Sequence, residues 1–306
     1  MTFIYHHDDC LRHDPGPQHA ENPGRLSVIM AALRNSTFTP PLDYRAAPLG
    51  TDAQVLLAHT EAHLDLVKAS APAEGRSPLD PDTVMSPGSL AAALRAVGAA
   101  CAGVDALVTK QTRHAFCATR PPGHHATPNR AMGFCIFNQV AIAALYAMRH
   151  HQLQRVAVVD FDVHHGNGTQ DIMLGKEGMF YISTHQSPLY PGSGQPDENR
   201  NHNILNVPLM GGTGDRTYQE IFAEDVLPAL AAFKPQLLLV SAGFDAHKAD
   251  PLAGLALTEA TYGWLGKQMR TIADVHADGR LLSVLEGGYN LDVLGASVAA
   301  YIAGAA

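Results

Sequence analysis

The chain of 306 residues is short of several things. It has four cysteines, Cys10, Cys101, Cys117 and Cys135, and no Cys-x-x-Cys pair among them. They are too few to staple a chain of this length, which excludes a disulfide scaffold and fits a reducing compartment. Basic residues are outnumbered, 21 Lys plus Arg against 29 Asp plus Glu. The formal charge of -8 opposes the counterion release on which polyanion binding depends, so nucleic acid is not an expected partner. No apolar run reaches the roughly 18 residues of a membrane span. Met1–Cys10 sets two His and two Asp where a secretory signal needs an apolar core, so no membrane is expected and the expected location is the cytoplasm. Repeats, linkers and polar low-complexity tracts are also missing. With 46% hydrophobic and 16% charged residues there is ample surface to bury, and a single domain over residues 1–306 is expected.

What is present is an alternation. Short apolar runs at His114–Ala118, Val156–Val159, Leu237–Val240 and Leu281–Leu285 read as buried parallel strands, with two further strands at Met179–Ser183 and Ile204–Val207. Between them Ser89–Thr109, Asn138–His151, Thr217–Phe233, Thr258–Ala277 and Leu291–Ile302 have helical spacing and good helix formers. Strand and helix in repeated order predict an α/β fold, an open parallel sheet with helices on both faces. Ala71–Gly88 and Ser187–Asn203, rich in Pro, Gly and Asp, read as long functional loops.

Ligands bind such sheets beyond the carboxyl ends of the strands, so the residues there carry the information. The first run leads to Arg120-Pro-Pro-Gly-His124-His125, the second to Asp160-Phe-Asp162-Val-His164-His165-Gly-Asn167, the third to Gly243-Phe-Asp245 and the fourth to Glu286-Gly-Gly-Tyr289. Asp162 and His164, two apart, leave an extended segment on one side, and Asp245 could complete a three-ligand site. Two carboxylates and one imidazole suit Zn2+ with a position open for water; Fe2+, Mn2+ or Co2+ would also fit. Read alone, the two aspartates could equally cap helices. Pro-Pro-Gly can present the His124–His125 tandem to the same crevice as a general acid and base, and Gly287-Gly288 would let Tyr289 reach an oxyanion.

With these motifs assembled, nearly the whole chain from about His6 to beyond Tyr289 resembles the zinc-dependent histone deacetylases and their bacterial relatives, which include acetylpolyamine amidohydrolases and acetoin-utilisation proteins. The resemblance implies an arginase-like fold with about eight parallel strands. It implies one Zn2+ on Asp162, His164 and Asp245, catalysis by His124, His125 and Tyr289, and orientation of the two imidazoles by Asp160 and Asn167. Asn at 167, as in class II relatives, leaves His125 without a carboxylate partner; His125 is expected to be neutral and to move the proton, and His124 to stay charged. Gly133, Phe134, Tyr190 and Leu252 match the substrate tunnel, with Tyr190 in place of the commoner Phe. Asp160, Asp162, His164, Ser183 and Thr184 match a structural K+ site.

The expected substrate is an acylated lysine of a peptide or protein. Leu252, where polyamine-selective relatives carry a glutamate, disfavours a small acylated polyamine; Asp82, in Asp80-Pro81-Asp82, is expected in a loop at the tunnel rim, where it could bind the substrate backbone. A binuclear manganese ureohydrolase would need a third ligand at Gly166, and an inactive acyl-amine binding protein would not need every catalytic position filled. Homo-oligomerisation is left open.

Overall fold

The structure, a computed structural model, describes residues 1–199 and 203–306. Residues 200–202, within the expected loop 187–203, lie outside the described set. In chain order the strands are β1 (Thr2–His6), β2 (Asp43–Ala46), β3 (Ser77–Asp80), β4 (Thr83–Met85), β5 (His114–Cys117), β6 (Val156–Asp160), β7 (Met179–Gln186), β8 (Ile204–Leu209), β9 (Leu237–Ala242) and β10 (Leu281–Leu285). Eight form one sheet in the order β2-β1-β5-β10-β9-β6-β7-β8, parallel throughout.

The central strands are apolar without interruption because both faces are covered. Along β6, Ala157 and Val159 enter one core with Phe116, Leu238 and Val240, while Val156 and Val158 enter the other with Leu237, Leu239, Leu282 and Val284. Helices Gly24–Asn35, Glu259–His276 and Leu291–Ala305 cover the first face; Ser89–Val108 and Gln139–His151 cover the second. Ser89–Val108 is long and apolar enough to cross a membrane, but most of it is enclosed between the sheet and its neighbours.

The order of strands positions the site. From β6 the chain moves outward through β7 and β8, then returns with β9 and β10 to fill the gap between β6 and β5. The four strands that carry the chemistry thus become consecutive neighbours. Their ends are level, with Val284 opposite Cys117, Leu285 opposite Ala242 and Asp160 opposite Ser241.

Several elements differ from expectation. Ala71–Gly88 is not all loop: β3 and β4 pair antiparallel, their spacing disguised by Pro78 and Pro81. The edge strand β2, its neighbour β1 and the helices Gly24–Asn35, Asp52–Val55, Glu61–Ala69 and Asn167–Met173 are additional. The helix expected at Thr217–Phe233 starts at Asp215 and widens into a π turn at Phe222–Val226. Pro228 follows at once, and its missing N–H breaks the regular ladder there.

Candidate active site

Beyond β6 and β9, Asp162, His164 and Asp245 meet. His164 Nδ1 lies 3.1 Å from Asp162 Oδ1 and 3.1 Å from Asp245 Oδ2, and one donor atom from each residue falls within 4.8 Å of the others. All three are buried. The remaining carboxylate oxygens are aimed by backbone donors, Gly287 N–H to Asp162 Oδ2 (2.7 Å) and Val163 N–H to Asp245 Oδ1 (2.9 Å). Gly287 must be glycine, since a Cβ there would collide with the carboxylates of Asp245 and Asp162.

Two carboxylates this close and this deep need a cation between them. Burial and the charge on Asp162 push Asp245 up to about 7, against a usual 3.8. Burial also opposes ionisation of Asp162, but the imidazoles of His124 and His164 outweigh it and hold that carboxyl well below its ordinary range. His164 supplies the balancing charge: burial opposes it, yet the two aspartates raise it to about 10. A divalent ion would replace that proton, and the donor set fits one.

The tandem imidazoles stand beside this cluster, their ring centres 4.0 Å apart. His124 Nδ1 is 3.0 Å from Asp160 Oδ2, and His125 Nδ1 is 2.8 Å from Asn167 Oδ1. Asp160 is fixed in turn by the Tyr181 hydroxyl (3.0 Å). The partners divide the pair. Burial works against charge on His124, but Asp160 and Asp162 carry it up to about 10. Burial and the neighbouring charges on His124 and His164 drive His125 well below the usual 6.5, and an amide oxygen offers little in return.

A cavity of about 220 Å³ descends onto His125 and His164 between Gly133, Phe134, Leu189, Tyr190, Leu252, Tyr289 and Asp82. Phe134 packs edge-on against Tyr289 (ring centres 5.8 Å) and Tyr190 edge-on against His125 (5.2 Å). Gly133 and Phe134 both have left-handed backbone, φ 56° and 67°, strained for the phenylalanine. The turn is held open by Gly133 N–H on Asp82 Oδ1 (3.1 Å) and Phe134 N–H on Thr83 Oγ1 (3.0 Å), both from the hairpin read as loop. Burial, partly offset by Arg25, keeps the Tyr289 phenol protonated well above its ordinary range.

Of the five residues matching a K+ site, Asp160 and Ser183 are neighbours in the sheet. Asp160 pairs with Ser183 across β6 and β7, so Asp162 and His164 continue past Ser183 and Thr184; the two hydroxyls bond His185 Nδ1 (2.9 Å) and the Tyr218 hydroxyl (2.7 Å).

Buried supports had no role in the sequence reading. Glu21 receives both Arg120 and Arg25 in full burial, and Arg25 donates to the Gly288 carbonyl (2.6 Å) with its guanidinium 4.9 Å from the centre of the Tyr289 ring. Asp250 accepts the N–H of Tyr289 (2.7 Å) and of Leu252 (3.0 Å), tying two walls of the cavity together. The one available signal was a pair of opposite charges four apart, Glu21 and Arg25, on either side of Asn-Pro-Gly at the start of a helix.

A model of the histone deacetylase domain matches residues 19–305. The chain belongs to the histone deacetylase family. It is 38% identical to a histone deacetylase-like amidohydrolase of Pseudomonas aeruginosa, over 94% of this chain and 82% of that one. A probable deacetylase of Archaeoglobus fulgidus is 37% identical, over 95% and 82% of the two chains. The solved HD domain of HDA15 superposes with a TM-score of 0.91 at 35% identity, over 98% of this chain and 89% of that one. Membership in the histone deacetylase family makes the chain a hydrolase of the deacetylase and amidohydrolase class, and the family is in general metal-dependent.

Proposed function

We propose that this histone deacetylase family member is a zinc-dependent deacetylase that removes an acetyl or acyl group from the ε-amine of lysine in a peptide or protein. The observation that carries the reading is the convergence, at the foot of one narrow cavity, of three buried donors, two imidazoles of opposite charge preference and a protonated phenol. Asp162, His164 and Asp245 would hold the ion, which when bound polarises the amide carbonyl and acidifies a water.

The chain's own residues do the rest. Phe134 and Tyr190 flank the lysine methylenes and exclude water. Tyr289 donates to the carbonyl oxygen as it gains charge. His125, neutral at rest, takes a proton from the attacking water and returns it to the nitrogen as the C–N bond breaks; the water's second proton leaves the new carboxylic acid for the amine, giving carboxylate and ammonium. His124, charged beside Asp160, stabilises the negative charge without giving up its proton. We assign a K+ site to Asp160, Asp162, His164, Ser183 and Thr184, behind the Zn2+ ligands. The four cysteines are unpaired and buried, in keeping with the cytoplasm as the proposed location.

Leu252 at the mouth favours an uncharged stem over a distant ammonium; Asp82 in the same wall favours the opposite, a small acetylated polyamine. Specificity constants for acetyl-lysine peptides beside acetylputrescine and acetylspermidine, with chelator and with zinc restored, test the proposal. Zinc-restored hydrolysis with the peptides ahead supports it. Turnover indifferent to chelator defeats the metal assignment, and preference for the polyamines defeats the substrate.

A further inference from the structure

Glu286 ends β10 and takes no part in the steps above, yet it is wholly buried among them. Its Oε2 accepts two backbone N–H groups, those of Gly123 (2.7 Å) and His124 (3.1 Å), and its Oε1 accepts the Ser241 hydroxyl of β9 (3.3 Å). The other side of the His124 peptide is gripped as well, its carbonyl accepting Thr169 N–H (3.0 Å). From Glu286 the main chain passes directly to Gly287, whose N–H holds Asp162, and on to Tyr289; the carbonyls of Glu286 and Gly288 both receive Arg25. One residue therefore reaches the histidine loop with its side chain while its backbone leads to Asp162 and Tyr289. The adjacency of β5 and β10 makes this reach possible, and a glutamate spans it. Without that acceptor two buried amides would be orphaned, and the loop would shift until they found other partners.

We propose that Glu286 is a positioning residue for the hydrolysis: as a hydrogen-bond acceptor it fixes the Gly123–His124 backbone and so aims both imidazoles at the foot of the cavity. The role rests on the deacetylase reading and acts through His124 and His125, without contact to substrate. A glutamine can accept from the same two amides; a leucine of similar bulk cannot.

The test compares wild type, Glu286→Gln and Glu286→Leu by steady-state kinetics on an acetyl-lysine peptide with zinc bound. Hydrogen exchange over residues 120–126 is measured in parallel on the metal-free proteins. Misaimed imidazoles in Glu286→Leu should lower kcat about 100-fold. KM should stay within about threefold, and Glu286→Gln should recover kcat to within about fivefold of wild type. Exchange at the Gly123 and His124 amides should quicken at least about tenfold in Glu286→Leu and stay slow in Glu286→Gln. Wild-type kcat in Glu286→Leu, equal kcat losses in both variants, or unchanged exchange would overturn the proposal. Should the leucine variant not fold, Glu286→Asp, whose acceptor falls one carbon short, is read by the same criteria and is expected to behave as leucine would. If wild type itself hydrolyses no acylated amine, the functional reading fails instead, and the exchange comparison alone decides the role of Glu286.

Discussion

The interiors of β5, β10, β9 and β6 and the loops at their carboxyl ends are equally buried and are built on opposite terms. Inside, Leu238, Leu239, Val240 and Leu282 exclude water by shape alone, each fully buried side chain contributing about 1.5–3 kcal/mol. A few residues further along, Asp160, Asp162, Asp245, Glu286, His124 and His164 are as deeply enclosed, held by charge and hydrogen bonds that must all be satisfied together. The strands supply a rigid base, and the rim places on it charges that would not be stable on their own. Stability and function should therefore separate along one strand within a few residues.

Asp245→Asn should break them apart most sharply. Losing one of three donors should cost turnover about 1000-fold or more, as when a catalytic group is removed. The metal-free protein should nonetheless become more tolerant of rising pH. Asp245 in the fold titrates near 7, above its usual 3.8, so between about pH 4 and 7 the folded chain keeps a proton that the unfolded chain has lost. Stability falls as pH rises through that window. His164, raised to about 10 from 6.5, adds a loss between those values. Melting temperature in chelator, followed from pH 4.5 to 9, should decline more steeply for wild type than for Asp245→Asn, and zinc should restore wild type most at high pH. Parallel curves for the two proteins would show that Asp162 and Asp245 do not compete for charge.

Tyr289→Phe comes next and removes one donor from the growing negative charge; a loss of about 100- to 1000-fold in kcat with zinc content unchanged is expected. Turnover within threefold of wild type would remove the phenol from the mechanism. The inverse case lies inside the sheet. Leu239→Ala leaves a cavity and should cost about 2–5 kcal/mol in denaturant unfolding, with kcat/KM of the folded fraction unchanged. A marked fall in kcat/KM would mean that strand and rim are not separable.

The same contrast explains what could be read from the sequence. β5, β6, β9 and β10 were legible because strands covered on both faces are unbroken apolar runs, and His124, Asp162, Asp245 and Tyr289 because each follows such a run directly. Their meeting follows from strand order, which a local pattern does not contain. β1 and β2 stayed hidden: in β1 the apolar run is only Phe3–Tyr5 before His6-His7-Asp8-Asp9, and Asp43–Ala46, at the sheet edge, is too polar to stand out from loop. The hairpin β3–β4 was obscured by its prolines, and Asn167 heads a seven-residue helix behind two histidines and a glycine that read as loop. Glu21, Arg25 and Asp250 act through partners distant in sequence, between 39 and 263 positions away in the bonds that matter, and nothing next to them announces it.

Within the rim, Asn167→Asp sharpens the difference between the two imidazoles. A carboxylate in place of the amide 2.8 Å from His125 Nδ1 should raise a group now held well below 6.5. Since His125 must be neutral to take a proton, the acid limb of the kcat/KM profile should move to higher pH, with several-fold lower activity near neutrality that recovers in alkaline buffer. An unmoved limb would argue that the titration seen in the profile belongs elsewhere.

The smallest effect belongs at the mouth, where the side chains meet solvent. Leu252 is 37% exposed and shares the cavity wall with Asp82. Leu252→Glu adds a carboxylate that a distant ammonium could approach, and a half-solvated charge pair is worth at most about 1 kcal/mol, so the ratio of specificity constants for acetylspermidine over acetyl-lysine peptide should rise only about fivefold. The gain should fade at high salt, because the attraction is screened where water reaches it. The buried charges beneath should feel salt far less, and the kcat for the peptide should change little across the same range. A salt-independent shift would mean that Glu at 252 acts by reshaping the wall rather than by its charge, and would move the mouth from the solvated regime into that of the rim.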